Sequence, residues 1–337
     1  MQLMQYAPVV LTLVTTHKCT VSCSSCCFNC SPSRTESMEL SDLKEYVDIS
    51  INSFPSIEVV VLTGGETFLL GLETLADLIK YIKTKYGKIT RIVSNGFWAK
   101  SAEITRKTLL RLFEVGLDEL NLSTGDVHLM HVPLKNILNV IHIHERNDFL
   151  KNLSIAVEDH ENSKFDYKKM QSILTHLYPD SYKTVILHSP WIELDKKEDN
   201  IIHSLETSLS PSQGQGCYSL YNGIQVTPTG QILACCGFAA EYSPLLKMGS
   251  IRDNKDNLKV YLEEQYSDYL KMWLMVEGPR AIYTQLTDKY PKENLHDCEI
   301  CLHLLSNADL LKKIVEIPTD KVKEIILKFH HLIRQMK

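Results

Sequence analysis

The chain is predicted to be an α/β protein with a parallel sheet, followed by a smaller cysteine-bearing module. Short runs rich in Val, Ile and Leu alternate with segments of helical spacing six times between Val9 and Leu187. The pattern then changes: after Pro190 the chain turns polar before a hairpin-like segment begins. At 337 residues the length suits about two domains of ~150 residues.

Val9 to Thr15 reads as the first strand, and a Cys- and Ser-rich loop follows to about Thr35. Ser41 to Ser50 suits a helix with Ser41 as its N-cap. Ile57 to Leu62 is an apolar run interrupted only by Glu58, as expected for a strand covered on both faces. Leu72 to Tyr86 spaces Leu72, Leu75, Ala76, Ile79 and Ile82 as one helix face. Ile89 to Val93 is a strand, and Ala102 to Val115 a helix ended by a left-handed Gly116. Strand Leu117–Leu122, helix Leu134–His144, strand Leu153–Val157, helix Tyr167–Leu177 and strand Thr184–Leu187 complete the series. Helical crossovers between apolar strands imply right-handed βαβ units. Six units suit a partial barrel or an open doubly wound sheet, and the residues alone leave both open.

Lys196 to Ser212 reads as a linker, with Asp195 to Asp199 as solvated charge. Gly223 to Ala234 alternates like a hairpin turning at Pro228-Thr229-Gly230. Leu258 to Val276 reads as one helix and Lys321 to Met336 as a last, amphipathic one. The basic residues of that last helix suit a partner or membrane surface, or plain packing with solvated charges. These features set expected boundaries of 1–205 for the barrel, 206–305 for the second module and 306–337 for a helical tail.

Composition excludes several classes. Apolar residues at 44% and charged residues at 23% rule against wholesale disorder. A net charge of -5 gives no global basic field, so no nucleic-acid partner is expected. No run approaches the ~20 apolar residues of a membrane span. Ala7 to Val14 lacks the flanks of a signal peptide, so a cytoplasmic location is expected. The ten cysteines fall in three groups: five in 19–30, three in 217–236, and Cys298 with Cys301. In a chain this long, metal binding is a better use for them than a disulfide scaffold.

Cys19, Cys23 and Cys26 are spaced C-x3-C-x2-C directly after the first strand. In barrel-like α/β folds, that end of the sheet carries function. Three thiolates can hold three irons of a four-iron cluster and leave the fourth open. Zinc is the alternative, with Cys27 or Cys30 as a fourth ligand. The triplet resembles that of the radical S-adenosylmethionine superfamily. Gly64-Gly65-Glu66 after the second strand, Ser94-Asn95 after the third, and Ser123 with Asp126 after the fourth resemble its cofactor-binding segments. The resemblance covers about 9–190. It implies a partial (β/α)6 TIM-like barrel and a 4Fe-4S cluster bound with S-adenosylmethionine. It further implies that Glu66 holds the methionine amino group and that Ser123 lies against the ribose. Ser25 stands where the family usually has an aromatic, which leaves Phe28 as the candidate for adenine; Thr67 replaces a frequent proline.

Cys217, Cys235, Cys298 and Cys301 resemble the auxiliary-cluster extensions of the same superfamily, called SPASM and Twitch. Met248-Gly249-Ser250-Ile251 resembles the segment after their hairpin. No cysteine follows Cys301, so one auxiliary 4Fe-4S cluster is expected; a zinc ribbon is the alternative. Cys236 is then either a spare thiol able to donate hydrogen to a carbon radical or a packed apolar residue. His128 and His131 stand where they could face the site. Relatives of this kind mostly modify ribosomal peptides, with flavodoxin or ferredoxin as reductant. The implied outcomes are Cα epimerisation with Cys236 as donor, then thioether or C–C cross-linking, then dehydrogenation. Dehydrogenation of a small molecule is a further reading, and a non-catalytic iron–sulfur or zinc protein is the alternative of another class. Only 18 residues precede Cys19, so leader recognition by an N-terminal domain is not expected.

Overall fold

Six parallel strands stand side by side in the order in which the chain makes them. They are β1 (Val10–Thr16), β2 (Val59–Gly64), β3 (Ile89–Ser94), β4 (Glu119–Gly125), β5 (Asn152–Asp159) and β6 (Val185–Pro190). An open doubly wound sheet reverses direction at a switch point; this sequential order does not, and it defines the partial barrel. The computed structural model describes residues 6–335, apart from 25, 161, 191–206, 209–215, 238 and 293–294. Helices α1 (Leu40–Ser53), α2 (Leu72–Tyr86), α3 (Ala102–Glu114), the single turn α4 (Asp126–Leu129), α5 (Leu134–Arg146) and α6 (Tyr167–Leu177) connect the strands. Their buried faces, such as Leu75, Ala76, Leu78, Ile79 and Ile82 of α2, cover the sheet. α3 starts at Ser101, whose hydroxyl accepts from the Ile104 N–H, and Gly116 follows it at φ +86°. At α1, Glu39 rather than Ser41 is the N-cap, because the helix already begins at Leu40.

Downstream, β7 (Thr207–Ser208) pairs with β11 (Tyr290–Pro291). Of the predicted linker Lys196–Ser212, the backbone of β7 alone lies within the described residues, and Asp195–Asp199 lies outside them. After the turn α7 (Ser219–Asn222), β8 (Gly223–Val226) and β9 (Gln231–Leu233) form the hairpin, and β10 (Lys247–Ser250) adds to it. The hairpin continues the main sheet, because β8 pairs in parallel with β1, from Val10↔Gly223 to Leu13↔Val226. The turn α8 (Ala239–Tyr242) sits between β9 and β10.

The predicted helix Leu258–Val276 is two helices, α9 (Leu258–Gln265) and α10 (Tyr269–Thr287). Asp268 breaks it by capping α10, accepting from the Leu270 N–H at 2.9 Å. Both cysteines of the last pair lie on α11 (Asp297–Ser306), ahead of α12 (Ala308–Val315) and α13 (Thr319–Gln335). α13 packs on α10, where Lys321 and Lys328 both reach Glu277 at 3.0 Å. Among the described residues, no helix is long and apolar enough to cross a membrane.

Candidate functional site

The C-terminal ends of β1 to β5 converge on a cavity of about 260 Å³. The loop after β1 supplies Cys19, Cys23, Cys26, Cys27, Phe28 and Cys30 to its wall; β2 supplies Gly64 and then Gly65. β3 supplies Ser94 with Asn95 just beyond it, and β4 supplies Ser123. The predicted cluster and backbone residues are thus brought together.

Close approach makes the floor possible. A Cβ on Gly65 would stand 2.1 Å from the Lys18 carbonyl oxygen and 3.2 Å from the Cys19 Cβ. The Gly65 N–H donates to Thr16 O at 2.7 Å, and the Glu66 N–H to Lys18 O at 3.0 Å. β2 therefore clamps the chain leading into the cysteine loop. Asn95 ties β3 to the same loop: its Nδ2 donates to Thr20 Oγ1 at 3.0 Å and approaches Cys19 Sγ at 3.9 Å.

Both predicted carboxylates have their oxygens engaged within the chain. Glu66 is fully buried behind the floor, and its carboxylate accepts from Ser94 Oγ (2.9 Å), the Asn95 N–H (2.8 Å) and the Phe68 N–H (3.1 Å). Burial pushes this carboxyl up to about 7 against the pull of those donors. Asp126 accepts from the N–H groups of Lys164 and Phe165, which fixes the loop after β5. Thr67 is buried and opens a short 3-10 turn capped by the Glu66 side chain.

His128 lines the cavity, whereas His131 is exposed. Facing His128 is Glu158 of β5, with Oε2 3.6 Å from Nδ1. Burial lowers His128 to about 4. Burial, and next the nearby Cys26 thiolate, raise Glu158 to about 7. Sequence reasoning missed Glu158; its one signal was a carboxylate at the end of an apolar strand, on the functional end of the sheet.

No disulfide joins any of the ten cysteines. Burial pushes the Cys19 thiol up to about 11, and burial, then Cys26, Glu158 and Cys236, hold Cys27 well above its ordinary range. Such thiols ionise when a strongly positive centre sits among them. The soft sulfur donors, the side-chain-free floor and the space beside them fit an iron–sulfur cluster with a small ligand.

The second group also converges. Cys217, Cys235, Cys298 and Cys301 interact electrostatically, and burial pushes Cys298 up to about 12. A Cβ on Gly237 would lie 3.0 Å from Cys298 Sγ and 3.6 Å from Cys235 Sγ, a space that glycine leaves open. Cys235 is buried and Cys236 exposed, where the chain bends just past β9. Among the described residues, no group of three His, Cys, Asp or Glu side chains is close enough to hold a single metal ion.

A family model described as a 4Fe-4S single cluster domain matches residues 9–122. The protein YydG of Bacillus subtilis (strain 168), whose name assigns it to peptide biosynthesis, is 32% identical over 144 residues, which are 42% of this chain and 43% of that protein. The match thus spans less than half the length of that curated relative. The solved structure of native anSMEcpe with bound AdoMet and Cp18Cys peptide aligns with a TM-score of 0.57 at 12% identity, covering 98% of this chain and 100% of that one. The same protein with bound AdoMet gives 0.54 at 12% identity, with 98% and 100% covered. These likenesses show the fold. Fold and thiol site together define an α/β partial barrel built to carry an iron–sulfur cluster.

Proposed function

We propose that the chain is a radical S-adenosylmethionine enzyme that modifies a peptide, with Cα epimerisation as the leading outcome, ahead of thioether or C–C cross-linking. The observation that carries the reading is one cavity at the sheet's functional end, lined at once by Cys19, Cys23, Cys26, Gly64, Gly65, Ser94, Asn95 and Ser123. The peptide substrate rests on the match to YydG.

Cys19, Cys23 and Cys26 would hold the cluster. Reductive cleavage of a sulfonium, followed by hydrogen abstraction from the substrate, is the chemistry that cluster and cofactor supply when bound. The chain's own part is placement. Gly64 and Gly65 keep the floor free of side chains. Glu66 fixes the Ser94–Asn95 turn through two hydrogen bonds and the Phe68 N–H through a third, and Asn95 in turn steadies the loop at Thr20 and Cys19. Phe28 and Ser123, on the cavity wall, are assigned to adenine and ribose, and Asp126 orders the β5–α6 loop beside them. Cys217, Cys235, Cys298 and Cys301 are assigned to an auxiliary cluster within 206–305, beside a barrel of 1–205 and a tail of 306–337. Cys236, exposed and electrostatically felt by Cys27 on the cavity wall, is assigned as hydrogen donor. A flavodoxin or ferredoxin would supply the electron in the cytoplasm.

Anaerobic purification with iron and sulfide assays tests this. About eight irons per chain are expected, with 5′-deoxyadenosine released on adding S-adenosylmethionine and a strong reductant. A fully iron-loaded sample that releases none refutes catalysis.

A further inference from the structure

The two thiol groups are joined by one short element. α8 begins two residues after Gly237, the residue packed on the sulfurs of Cys235 and Cys298, and it lies against α11, which carries Cys298 and Cys301. At its other end, Tyr242 Oη donates to the Cys26 carbonyl at 3.0 Å, a contact across 216 residues of chain. Its neighbour Glu241 reaches the opposite end of the cysteine loop. His17 is buried, and its Nδ1 accepts from Arg34 Nη2 at 2.7 Å, so the ring hydrogen sits on Nε2. That Nε2 makes no hydrogen bond, and Glu241 Oε1 stands 3.9 Å from it. Arg34 closes the bracket, bonding Glu36 and the Asn29 carbonyl. α8 thus holds the loop by a hydrogen bond at Cys26 and stands beside His17 ahead of Cys19, and it is itself packed on the second thiol group.

We propose that α8 is a strut coupling the two cysteine groups, with Tyr242 as a positioning residue for Cys26. Occupation of the second group is then felt at the first through α8 rather than through the sheet. The inference rests on the functional reading above.

The test uses the full chain, reconstituted anaerobically, with Tyr242→Phe, the Cys298→Ala/Cys301→Ala pair and the combination. Electron paramagnetic resonance of the first cluster, with and without S-adenosylmethionine, is read beside iron content. Hydrogen exchange across Cys26–Cys30 is read in the metal-free protein. Tyr242→Phe should keep about eight irons, shift the first-cluster signal, and speed exchange across Cys26–Cys30 about fivefold, the effect of one lost hydrogen bond. The Cys298/Cys301 pair should shift the same signal, and the combination should shift it no further than either alone, as coupled lesions do. An unchanged signal and exchange in Tyr242→Phe, or shifts that simply add, overturn the strut. A wild-type chain that takes up no iron at Cys19, Cys23 and Cys26 overturns the functional reading and the coupling with it.

Discussion

Gly65→Ala is expected to cost roughly 2–5 kcal/mol and to empty the first cluster, because the space it needs is filled by the chain that carries the first ligand. The new Cβ would start 2.1 Å from Lys18 O and 2.6 Å from Lys18 C, so backbone must move by about 1 Å to restore van der Waals contact. The bonds Gly65 N–H to Thr16 O and Glu66 N–H to Lys18 O hold that backbone, and movement stretches both. Each is worth about 1 kcal/mol net, and more if a buried group is left unpaired. Gly87→Ala is the control. That glycine caps α2 at φ +64° with nothing within 4 Å of a Cβ, so conformational strain of about 1–2 kcal/mol is its whole cost. Anaerobic denaturant unfolding of the metal-free chains gives the two stability losses, and iron content after reconstitution gives the site effect. Gly65→Ala should lose more stability than Gly87→Ala and about half its iron; Gly87→Ala should keep its iron. A Gly65→Ala chain as stable as the control, with iron intact, refutes the clamp.

Glu66 predicts a pH dependence. Its folded value of about 7 lies above 4.5, so the folded state holds the proton more tightly. The stabilising contribution is complete below about pH 4.5 and is lost as pH rises through 7, for ~3 kcal/mol by linkage at 1.36 kcal/mol per pH unit. Glu66→Gln should flatten that limb in pH-resolved unfolding of the metal-free chain; an unchanged slope removes Glu66 as its source. Cys236→Ala should keep 5′-deoxyadenosine release but lose the inverted peptide product, read by chiral amino-acid analysis; an unchanged product removes the donor role. Cys298→Ala should lower iron from about eight toward four per chain while retaining the first cluster's response to S-adenosylmethionine. Full iron retention would show that Cys298 is not a ligand.

The first site was legible because its parts are local. Cys19, Cys23 and Cys26 sit within one turn-rich loop, and Gly64, Ser94 and Ser123 each lie at or near the end of an apolar strand. The strand ends place them together once the sheet is parallel and sequential. Glu158 was not legible, since a single carboxylate after Leu153–Val157 has no partner spacing; its partner His128 comes from another strand end. The α9–α10 break was hidden for a different reason. Apolar residues at helical spacing stand on both sides of Ser267–Asp268, and a cap such as Asp268 is visible in sequence only if the break is already suspected.

The pairing of β8 with β1 was equally unreadable, because no local pattern encodes a parallel contact across more than 200 residues. Yet that pairing explains how one chain places two thiol groups. β1 delivers Cys19 beyond its C-terminal end, whereas β9 runs antiparallel to β8 and so leads toward Cys235 in the opposite direction, away from that end. The sheet fixes where each group stands, but its ladder bonds run through β1 and β8 and make no contact with the loop at Cys26. From the second segment, Tyr242 bonds that loop at the Cys26 carbonyl and Glu241 stands 3.9 Å from His17. If the second group were a separate module, losing it would leave the first loop's hydrogen exchange untouched. Because α8 ties it to the first loop, emptying it in the reconstituted chain should loosen Cys26–Cys30, and the size of that effect separates a coupled pair from two neighbouring modules.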